Sequence, residues 1–316
     1  MTQRVVVLGG SGFVGRALCR RLAAHAPQLR VVVPTRRPDH AAALRTLPTV
    51  EIERADVHDA AALGRMFQGA DAVVQLVAIL HGTEAAFEQV HVALPRLVAA
   101  VARQAGVRRL VHVSALGVAA DAPSMYLRSK ARGEAVLAAA GVPTVVLRPS
   151  VVFGAEDRFL NLFAALQALS PLMPLGGSAA RFQPVWVEDL AEALLRCLLG
   201  PQPPALLECA GPQVFTLSEL VALAGRWAGH ARPQVALPEA LARLQALALE
   251  VLPGPTLMSR DNVDSMRVPN VATGTLPVLQ ALGIEPAAVE SVMPPLLAGM
   301  GSRSALDALR RHAGRG

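Results

Sequence analysis

The chain has 316 residues and a formal net charge of +6; 53% of its residues are hydrophobic and 17% are charged. This composition excludes a disordered chain, and the length allows a full core in one large α/β domain or in two lobes. Aromatic residues make up only 3% and the arginines are scattered, so we expect no nucleic-acid binding.

The cysteines and the amino terminus give expectations about the compartment. Cys19, Cys197 and Cys209 are far apart in sequence, which predicts free thiols in a reducing environment. Residues 1–4 lead directly into an apolar strand without a signal-peptide pattern, and apolar runs such as 73–80 are shorter than a bilayer span. We therefore expect a cytoplasmic protein that is soluble or at most peripheral at the inner face of a membrane.

A glycine-rich turn follows the first predicted strand. Residues 4–8 are typical of a buried parallel strand, residues 9–15 read Gly-Gly-Ser-Gly-Phe-Val-Gly, and residues 16–24 have helical apolar spacing. In a dinucleotide site, Gly9 permits the tight turn, Gly12 lets the backbone approach a pyrophosphate, and Gly15 lets the helix pack closely. The helix N-terminus then faces the phosphates. The order strand, turn, helix predicts a dinucleotide site rather than a purely structural turn.

The second predicted strand, residues 29–33, is followed by Arg36 and Arg37. An acidic residue in this region binds the ribose 2′-hydroxyl of NAD, whereas arginine suits the 2′-phosphate of NADP. We therefore predict NADP(H) in preference to NAD(H). The alternative is that both are solvated loop arginines.

Further strands are predicted at 50–57, 71–78, 109–113 and 141–150, alternating with helices. Asp56, at the end of the third strand, is a candidate contact to the adenine amino group; alternatively, Asp56 and Asp59 cap the helix at 60–67. The alternation predicts an α/β fold with a doubly wound parallel sheet of the Rossmann type. We assign residues 1–150 to an NADP-binding domain and 151–316, where proline and glycine become frequent, to a smaller C-terminal substrate lobe with segments that return to the sheet.

Tyr126 and Lys130 are the only tyrosine and the only lysine of the chain. Positions i and i+4 lie on one helical face, so the phenol and the ammonium can point into one pocket. An ammonium can lower the pKa of a neighbouring phenol. Ser114 stands at the carboxyl end of the fifth predicted strand, where ligands of such sheets bind. We predict that Tyr126 and Lys130 act as a functional pair in that pocket; the alternative is a packed phenol and a solvated ammonium.

Two other features have competing interpretations. Glu84, Glu88 and His91 share a helical face, but a single E-x-x-H is not a di-metal pattern, so we predict a polar face and no metal. Leucines surround most of the circumference of segment 240–252. We expect this segment to be buried; the alternative is a membrane-facing surface or a lid over an apolar substrate.

The motifs together resemble the extended short-chain dehydrogenase/reductase superfamily. They are the turn at 9–15, Val-Ser-Ala-Leu-Gly at 113–117, Tyr-Leu-Arg-Ser-Lys at 126–130 and Leu-Arg-Pro-Ser-Val-Val-Phe-Gly at 147–154. The runs at 76–82, 124–130 and 182–189 resemble the branch that includes the NADPH-binding accessory subunit of mitochondrial respiratory complex I and its bacterial relatives.

The resemblance implies an NADP(H)-dependent oxidoreductase or epimerase that acts on a small molecule, which the apolar second lobe suggests is hydrophobic. The alternative is a non-catalytic NADPH-binding accessory protein that contacts a membrane or a membrane complex through its C-terminal third. The resemblance also implies that Tyr126, Lys130 and Ser114 are the catalytic residues. The family usually has asparagine where this chain has His91. The implied cofactor contacts are Gly9, Ser11, Gly12, Phe13, Val14, Gly15, Thr35, Arg36, Arg37, Asp56, Val57, Leu76, Val77, Ala78, Val113, Lys130, Pro149 and Val151.

Overall fold

The computed structural model describes residues 3–251 and 256–298. The strands are β1 (Arg4–Leu8), β2 (Arg30–Thr35), β3 (Val50–Arg54), β4 (Ala72–Gln75), β5 (Arg109–Val113), β6 (Thr144–Pro149), β7 (Val152–Phe153), β8 (Met173–Gly176), β9 (Arg181–Phe182), β10 (Val185–Trp186), β11 (Leu206–Cys209), β12 (Phe215–Thr216) and β13 (Gln234–Leu237). The α-helices are α1 (Phe13–His25), α2 (Ala60–Phe67), α3 (Glu84–Glu88), α4 (Leu94–Gln104), α5 (Met125–Ala138), α6 (Leu160–Leu169), α7 (Val187–Leu199), α8 (Leu217–Trp227), α9 (Glu239–Val251), α10 (Arg260–Ser265) and α11 (Val289–Leu297). A π-helix (Gln89–Ala93) joins α3 to α4, and 3₁₀ turns span Pro38–Leu44 and Leu279–Leu282.

The first compact unit comprises Met1–Pro149, Val187–Ala210 and Ala272–Glu285. Its seven strands lie in the order β11-β6-β5-β4-β1-β2-β3, and every neighbouring pair is parallel. The predicted fold class is confirmed. The strand order reverses between β1 and β4, and the crevice at such a reversal is where ligands bind in open α/β sheets.

The core of this unit explains why the strands read as apolar runs. Helices lie over the sheet, so β1 and β2 have few polar positions and their valines are almost fully buried. On one side, Leu63 and Phe67 of α2 and Val98 of α4 pack with Val6 and Val73 of the sheet. The spacing of apolar residues in each element therefore depends on which of its faces are buried by the neighbouring layer.

Two details differ from the predicted strands. β4 ends at Gln75 rather than at residue 78, because the Gln75 side-chain carbonyl accepts a hydrogen bond from Val77 N at 2.7 Å and removes that donor from the strand ladder. The edge strand β11 was not predicted. It pairs with β6 from Leu206 to Cys209, after the proline-rich residues 201–204.

The stretch Glu84–Gln104 is the one helical segment among the described residues that is long and apolar enough to cross a membrane. Half of its most apolar window is buried inside the protein. Leu94, Val98 and Ala102 lie in the core of the first unit. These contacts indicate the core helix of a globular unit.

The second compact unit comprises Ser150–Trp186, Gly211–Val271 and Pro286–Gly316, of which residues 252–255 and 299–316 lie outside the described ranges. Its core includes Phe153, Leu160, Leu220 and Met293. A capping box begins α8: Glu219 N donates to Thr216 Oγ1 at 3.2 Å, and Thr216 N donates to Glu219 Oε2 at 2.7 Å.

Helix α9 corrects the expectation that segment 240–252 is buried. Its buried face consists of Ala242 and Ala246, whereas Leu241, Leu244 and Val251 are 50%, 61% and 77% exposed. A Cβ placed on Gly176 of β8 would lie 2.5 Å from the Cβ of Ala242, so only small side chains fit at this contact. The large apolar side chains therefore occupy the solvent-facing side. Residue 252 of the predicted segment lies outside the described residues.

Candidate functional site

The turn after β1 has the geometry of a phosphate cradle. Gly9 has a φ of 82°, in the left-handed region that favours glycine, and Gly12 N donates to Gly9 O at 3.0 Å. A Cβ on Gly15 would lie 2.3 Å from Gly9 O, so α1 begins directly against the turn. No side chain caps the N-terminus of α1, and its first turn has no acidic residue. This helix end can therefore accept an anion.

The segment after β4 lies beside this turn. A Cβ on Gly9 would be 3.2 Å from the backbone carbon of Leu76 and 3.2 Å from Val77 N. Leu76 N also donates to Leu8 O at 3.0 Å, which joins the ends of β1 and β4. The predicted contacts at residues 76–78 and at the glycine turn are thus placed together at the strand reversal.

The polar residues at the ends of β2 and β3 differ in the hydrogen bonds and ion pairs that they form. Arg36 and Arg37 are exposed, and within residues 3–251 and 256–298 neither guanidinium pairs with a carboxylate. Thr35 Oγ1 accepts from Arg37 N at 3.2 Å, which fixes the chain direction here. Asp59 caps α2 by accepting from Ala61 N, whereas Asp56 accepts from His58 N at 3.0 Å and does not cap the helix.

Lys130 is 2% exposed and extends from α5 to the end of β5, where its Nζ donates to Val113 O at 2.7 Å. Burial lowers the pKa of Lys130 to about 8, although the Glu134 carboxylate opposes this shift. The surface-charge interpretation of Lys130 does not fit this burial. Ser114, the residue after Val113, has a buried hydroxyl without a hydrogen-bond partner among the described residues.

Tyr126 is half-buried one turn before Lys130, in a cluster of aromatic rings. Its ring meets His91 edge-on at 5.5 Å and Phe87 at 6.3 Å between centroids. Burial raises the pKa of Tyr126 to about 12. The sequence-based expectation of a pKa lowered by Lys130 does not hold for the protein alone, because burial is the cause of the shift and its direction is upward. The phenol is therefore protonated at neutral pH.

The π-helix places His91 behind the phenol. His91 Nε2 accepts from Ile79 N at 3.2 Å, so the neutral imidazole has its proton on Nδ1 and donates to Ser129 Oγ at 2.8 Å. Ser129 in turn donates to Tyr126 O at 2.8 Å. Burial, and then the charge of Lys130, lower the pKa of His91 to about 3. Both ring nitrogens are occupied, and of the carboxylates that share its helical face, Glu88 pairs with Arg132 at 3.1 Å.

The remaining predicted contacts lie at the end of β6 and beyond. Pro149 ends β6 and its carbonyl accepts from Leu116 N at 3.0 Å. Val151 belongs to the second compact unit, where its N–H donates to Asn270 Oδ1 at 2.8 Å.

Sequence reasoning missed Phe87, Ser129, Gln75 and His112 near the catalytic candidates, because single polar or aromatic residues in core elements have no diagnostic spacing.

Comparison with known proteins identifies the family. The profile of the NAD dependent epimerase/dehydratase family matches residues 5–205. The chain belongs to this family. The extended short-chain dehydrogenase/reductase resemblance is therefore confirmed, and the fold is an NAD(P)-binding fold.

Relatives of this epimerase/dehydratase family member carry different names. The chain is 29% identical over 297 residues to NADH dehydrogenase (ubiquinone) 1 alpha subcomplex subunit 9, mitochondrial, of Arabidopsis thaliana, covering 89% of this chain and 73% of the relative. It is 34% identical over 193 residues to ceramide reductase of Caulobacter vibrioides, covering 60% and 59% of the two chains. The resemblance to the branch of the complex I accessory subunit is confirmed.

Among solved structures, an NADPH-dependent quinone oxidoreductase from Escherichia coli, in complex with NADPH, superposes with a TM-score of 0.74 at 22% identity. The match covers 91% of this chain and 98% of that chain. At this identity the likeness supports the fold alone.

The contact between α5 and the π-helix generates a prediction. A Cβ on Gly133 would lie 2.1 Å from His91 O, a backbone atom. Because one of the two helices must shift, Gly133→Ala lowers the free energy of unfolding by about 2 kcal/mol in urea titrations. The matched control is Gly64→Ala in α2, where a Cβ meets nothing within 4 Å and the free energy of unfolding rises by up to about 1 kcal/mol. Equal stabilisation by both substitutions contradicts the prediction.

Proposed function

We propose that this protein is an NADP(H)-dependent oxidoreductase that reduces a carbonyl group of a small, apolar molecule. The observation that carries the proposal is the buried Lys130 ammonium, bonded at 2.7 Å to the end of β5, with Tyr126 one turn away on the same helix. The chain belongs to a family with an NAD(P)-binding fold. Tyr126 is a proton donor and Lys130 is a cation, and hydride-transfer chemistry uses groups of these two kinds.

The residues at the strand reversal fit a dinucleotide. The glycine cradle at residues 9–15 suits the pyrophosphate, because Gly9 adopts a left-handed φ in the turn and Gly15 allows the uncapped start of α1 to lie directly against it. Arg36 and Arg37, which are exposed and unpaired among the described residues, suit the additional charge of a 2′-phosphate. When bound, the reduced cofactor supplies a hydride to the substrate carbon.

Tyr126, Lys130 and Ser114 then transfer the proton and orient the substrate oxygen. Tyr126 donates its phenolic proton to the substrate oxygen, which matches a phenol whose pKa, raised to about 12, keeps it protonated at neutral pH. Lys130 provides a positive charge that stabilises the phenolate left behind. The Ser114 hydroxyl, buried and without a partner among the described residues, donates a hydrogen bond that orients the substrate oxygen.

Substitution of the single tyrosine tests the catalytic assignment. Tyr126→Phe removes the proton donor but keeps the ring packing, so we expect kcat to fall at least about 100-fold. The Kd for NADPH, measured by fluorescence titration, stays nearly unchanged, and NADPH raises Tm in both proteins. Unchanged turnover of the variant rejects the assignment of Tyr126.

Replacement of the two arginines tests cofactor choice. The double variant Arg36→Gln/Arg37→Gln loses charge-assisted contacts to the 2′-phosphate, so the Kd for NADPH rises at least about tenfold while the Kd for NADH changes little. The control is Arg45→Gln, an exposed arginine that pairs with Asp39 at 3.6 Å. Equal loss of both cofactors indicates that the arginines do not contact the 2′-phosphate.

A second candidate function is that of an NADPH-binding accessory protein of a membrane complex. The exposed side of α9 favours it, because Leu241, Leu244 and Val251 form an apolar surface there. The charged side chains of α9 are paired within the second unit: Arg243 and Arg267 with Glu239, and Arg260 with Glu250. Several relatives are named as subunits of mitochondrial NADH dehydrogenase. We assign the α9 surface to an apolar protein partner, which holds a cytoplasmic protein at the inner membrane face.

Membrane fractionation of the native host tests this candidate. The double variant Leu244→Gln/Val251→Gln moves from the membrane fraction to the supernatant, because a partner then desolvates two amides instead of apolar side chains. Leu199→Gln, also an exposed leucine but in the first unit, stays with the wild type. Identical fractionation of the α9 variant and the wild type rejects the assignment. A substrate panel without NADPH oxidation, together with this shift, favours the accessory function over the enzyme.

A further inference from the structure

The helical face that carries Tyr126 and Lys130 continues with a carboxylate that the proposed mechanism does not use. Glu134 follows Lys130 by four positions on α5, so it lies on the same face, one turn further along the helix. Its negative charge acts on the Lys130 ammonium and opposes the effect of burial. The Glu134 side chain is only 13% exposed, so solvent screens this attraction incompletely. The position of the carboxylate therefore affects whether Lys130 is an ammonium or an amine.

Arg148 of β6 holds this carboxylate from the sheet. Its Nε donates to Glu134 Oε1 at 3.0 Å, and its Nη2 donates to Glu134 Oε2 at 2.5 Å. A bidentate pair of this kind fixes the orientation of a carboxylate as well as its position. β6 pairs with β5, and β5 ends at Val113, whose carbonyl accepts from Lys130 Nζ. Lys130 and Glu134 are therefore bonded to two neighbouring strands.

A second carboxylate near Arg148 is engaged elsewhere. Glu208 of β11 is the register partner of Arg148 and is 1% exposed. Its Oε2 accepts from Thr273 N at 2.7 Å and from Thr273 Oγ1 at 3.0 Å, which ties it to residues 272–285 of the same compact unit. The guanidinium of Arg148 directs its hydrogen bonds to Glu134 instead.

The other titratable groups around Lys130 are neutral. Burial and the charge of Lys130 lower the pKa of His91 on the π-helix to about 3 and the pKa of His112 on β5 well below its usual value, so both imidazoles are uncharged at neutral pH. Tyr126 keeps its proton, because burial raises its pKa to about 12. Among the described residues, Glu134 is thus the charged group that acts on the ammonium.

We propose that Arg148 is a positioning residue for Lys130: by binding both oxygens of Glu134 it holds this carboxylate in place and so sets how firmly Lys130 keeps its proton. The inference rests on the proposed function, because it concerns the cation that stabilises the Tyr126 phenolate. Arg148 weakens the attraction in two ways. Its positive charge offsets part of the negative charge of Glu134, and its two hydrogen bonds keep the carboxylate from turning toward the ammonium.

The single lysine makes a direct test possible without turnover. In protein labelled with ¹³C-lysine, NMR titration of the Cε signal reports Lys130 alone. In nucleotide-free protein, Arg148→Gln raises the titration midpoint by about half a pH unit or more, because Glu134 then stabilises the ammonium more strongly. Glu134→Gln lowers the midpoint by a similar amount, because burial then acts without an opposing charge. In the Glu134→Gln background, Arg148→Gln raises the midpoint much less, since the carboxylate that it positions is gone.

An exposed ion pair on the same helix provides the matched control. Arg132 of α5 pairs with Glu88 at 3.1 Å, and the two side chains are 49% and 43% exposed. Arg132→Gln removes one positive charge, as Arg148→Gln does, but leaves the Lys130 midpoint within about 0.2 pH unit of the wild type because solvent screens the pair. A shift as large as that of Arg148→Gln indicates an effect of net charge alone and contradicts the proposal.

The pH dependence of kcat connects the titration to the reaction. Turnover falls at alkaline pH as Lys130 loses its proton, so this limb of the kcat profile moves to higher pH in Arg148→Gln and to lower pH in Glu134→Gln. A merely structural role of Arg148 lowers kcat at every pH and leaves the limb in place, and that result overturns the proposal.

Two further outcomes decide against the proposal. One is an equal effect of Arg148→Gln with and without Glu134. The other is an unchanged midpoint in Glu134→Gln, which also decides the question if Arg148→Gln does not fold. Absence of turnover in the wild type rejects the proposed function, whereas the NMR titration of the nucleotide-free protein still decides whether Arg148 controls the charge state of Lys130.

Discussion

The site depends on one buried ammonium held at the end of a strand. A pKa lowered from 10.5 to about 8 corresponds to ~3 kcal/mol of unfavourable burial for the charged Lys130. This net figure already includes the opposing charge of Glu134, and the carbonyl of Val113 gives the ammonium a hydrogen-bond acceptor. An arginine in its place could not share its proton under physiological conditions, because the guanidinium does not deprotonate. The chain, which otherwise uses arginine as its basic residue, has lysine at this one position.

Two glycines allow the elements of the site to pack closely against each other. Gly15 allows α1 to begin against the turn that follows β1, and Gly133 allows α5 to approach the carbonyl of His91 in the π-helix. Each contact puts a helix closer to its neighbour than any residue with a Cβ permits. π-Helical turns inside α-helices are frequent at functional sites. Here the turn places the imidazole of His91 between Ile79 and Ser129, where it holds the segment after β4 against the start of α5.

Much of the first unit could be predicted from the sequence, because buried parallel strands and a glycine turn leave strong patterns. The valine runs of β1 and β2 and the glycines at 9, 12 and 15 indicated the strands, the turn and the order of elements. β11 has a comparable apolar run, but its partner β6 lies about 60 residues earlier in the chain, a pairing that local sequence does not encode. For α9, apolar residues around the helix predicted burial, whereas its buried face consists of two alanines, Ala242 and Ala246, of which Ala242 lies against Gly176. Tyr126 and Lys130 stood out because each is unique. Gln75 and His112 could not be found in this way, since the environment of a buried polar residue depends on strand register and not on sequence spacing.

The single lysine also determines how the folded protein reacts with reagents and enzymes that modify amines. With its one ε-amino group inside the first unit, the chain offers acylating reagents, amine cross-linkers and lysine-conjugating enzymes no side-chain target on the surface. Modification at Lys130 therefore requires local opening of α5, so the rate of its acylation measures how often that helix separates from β5.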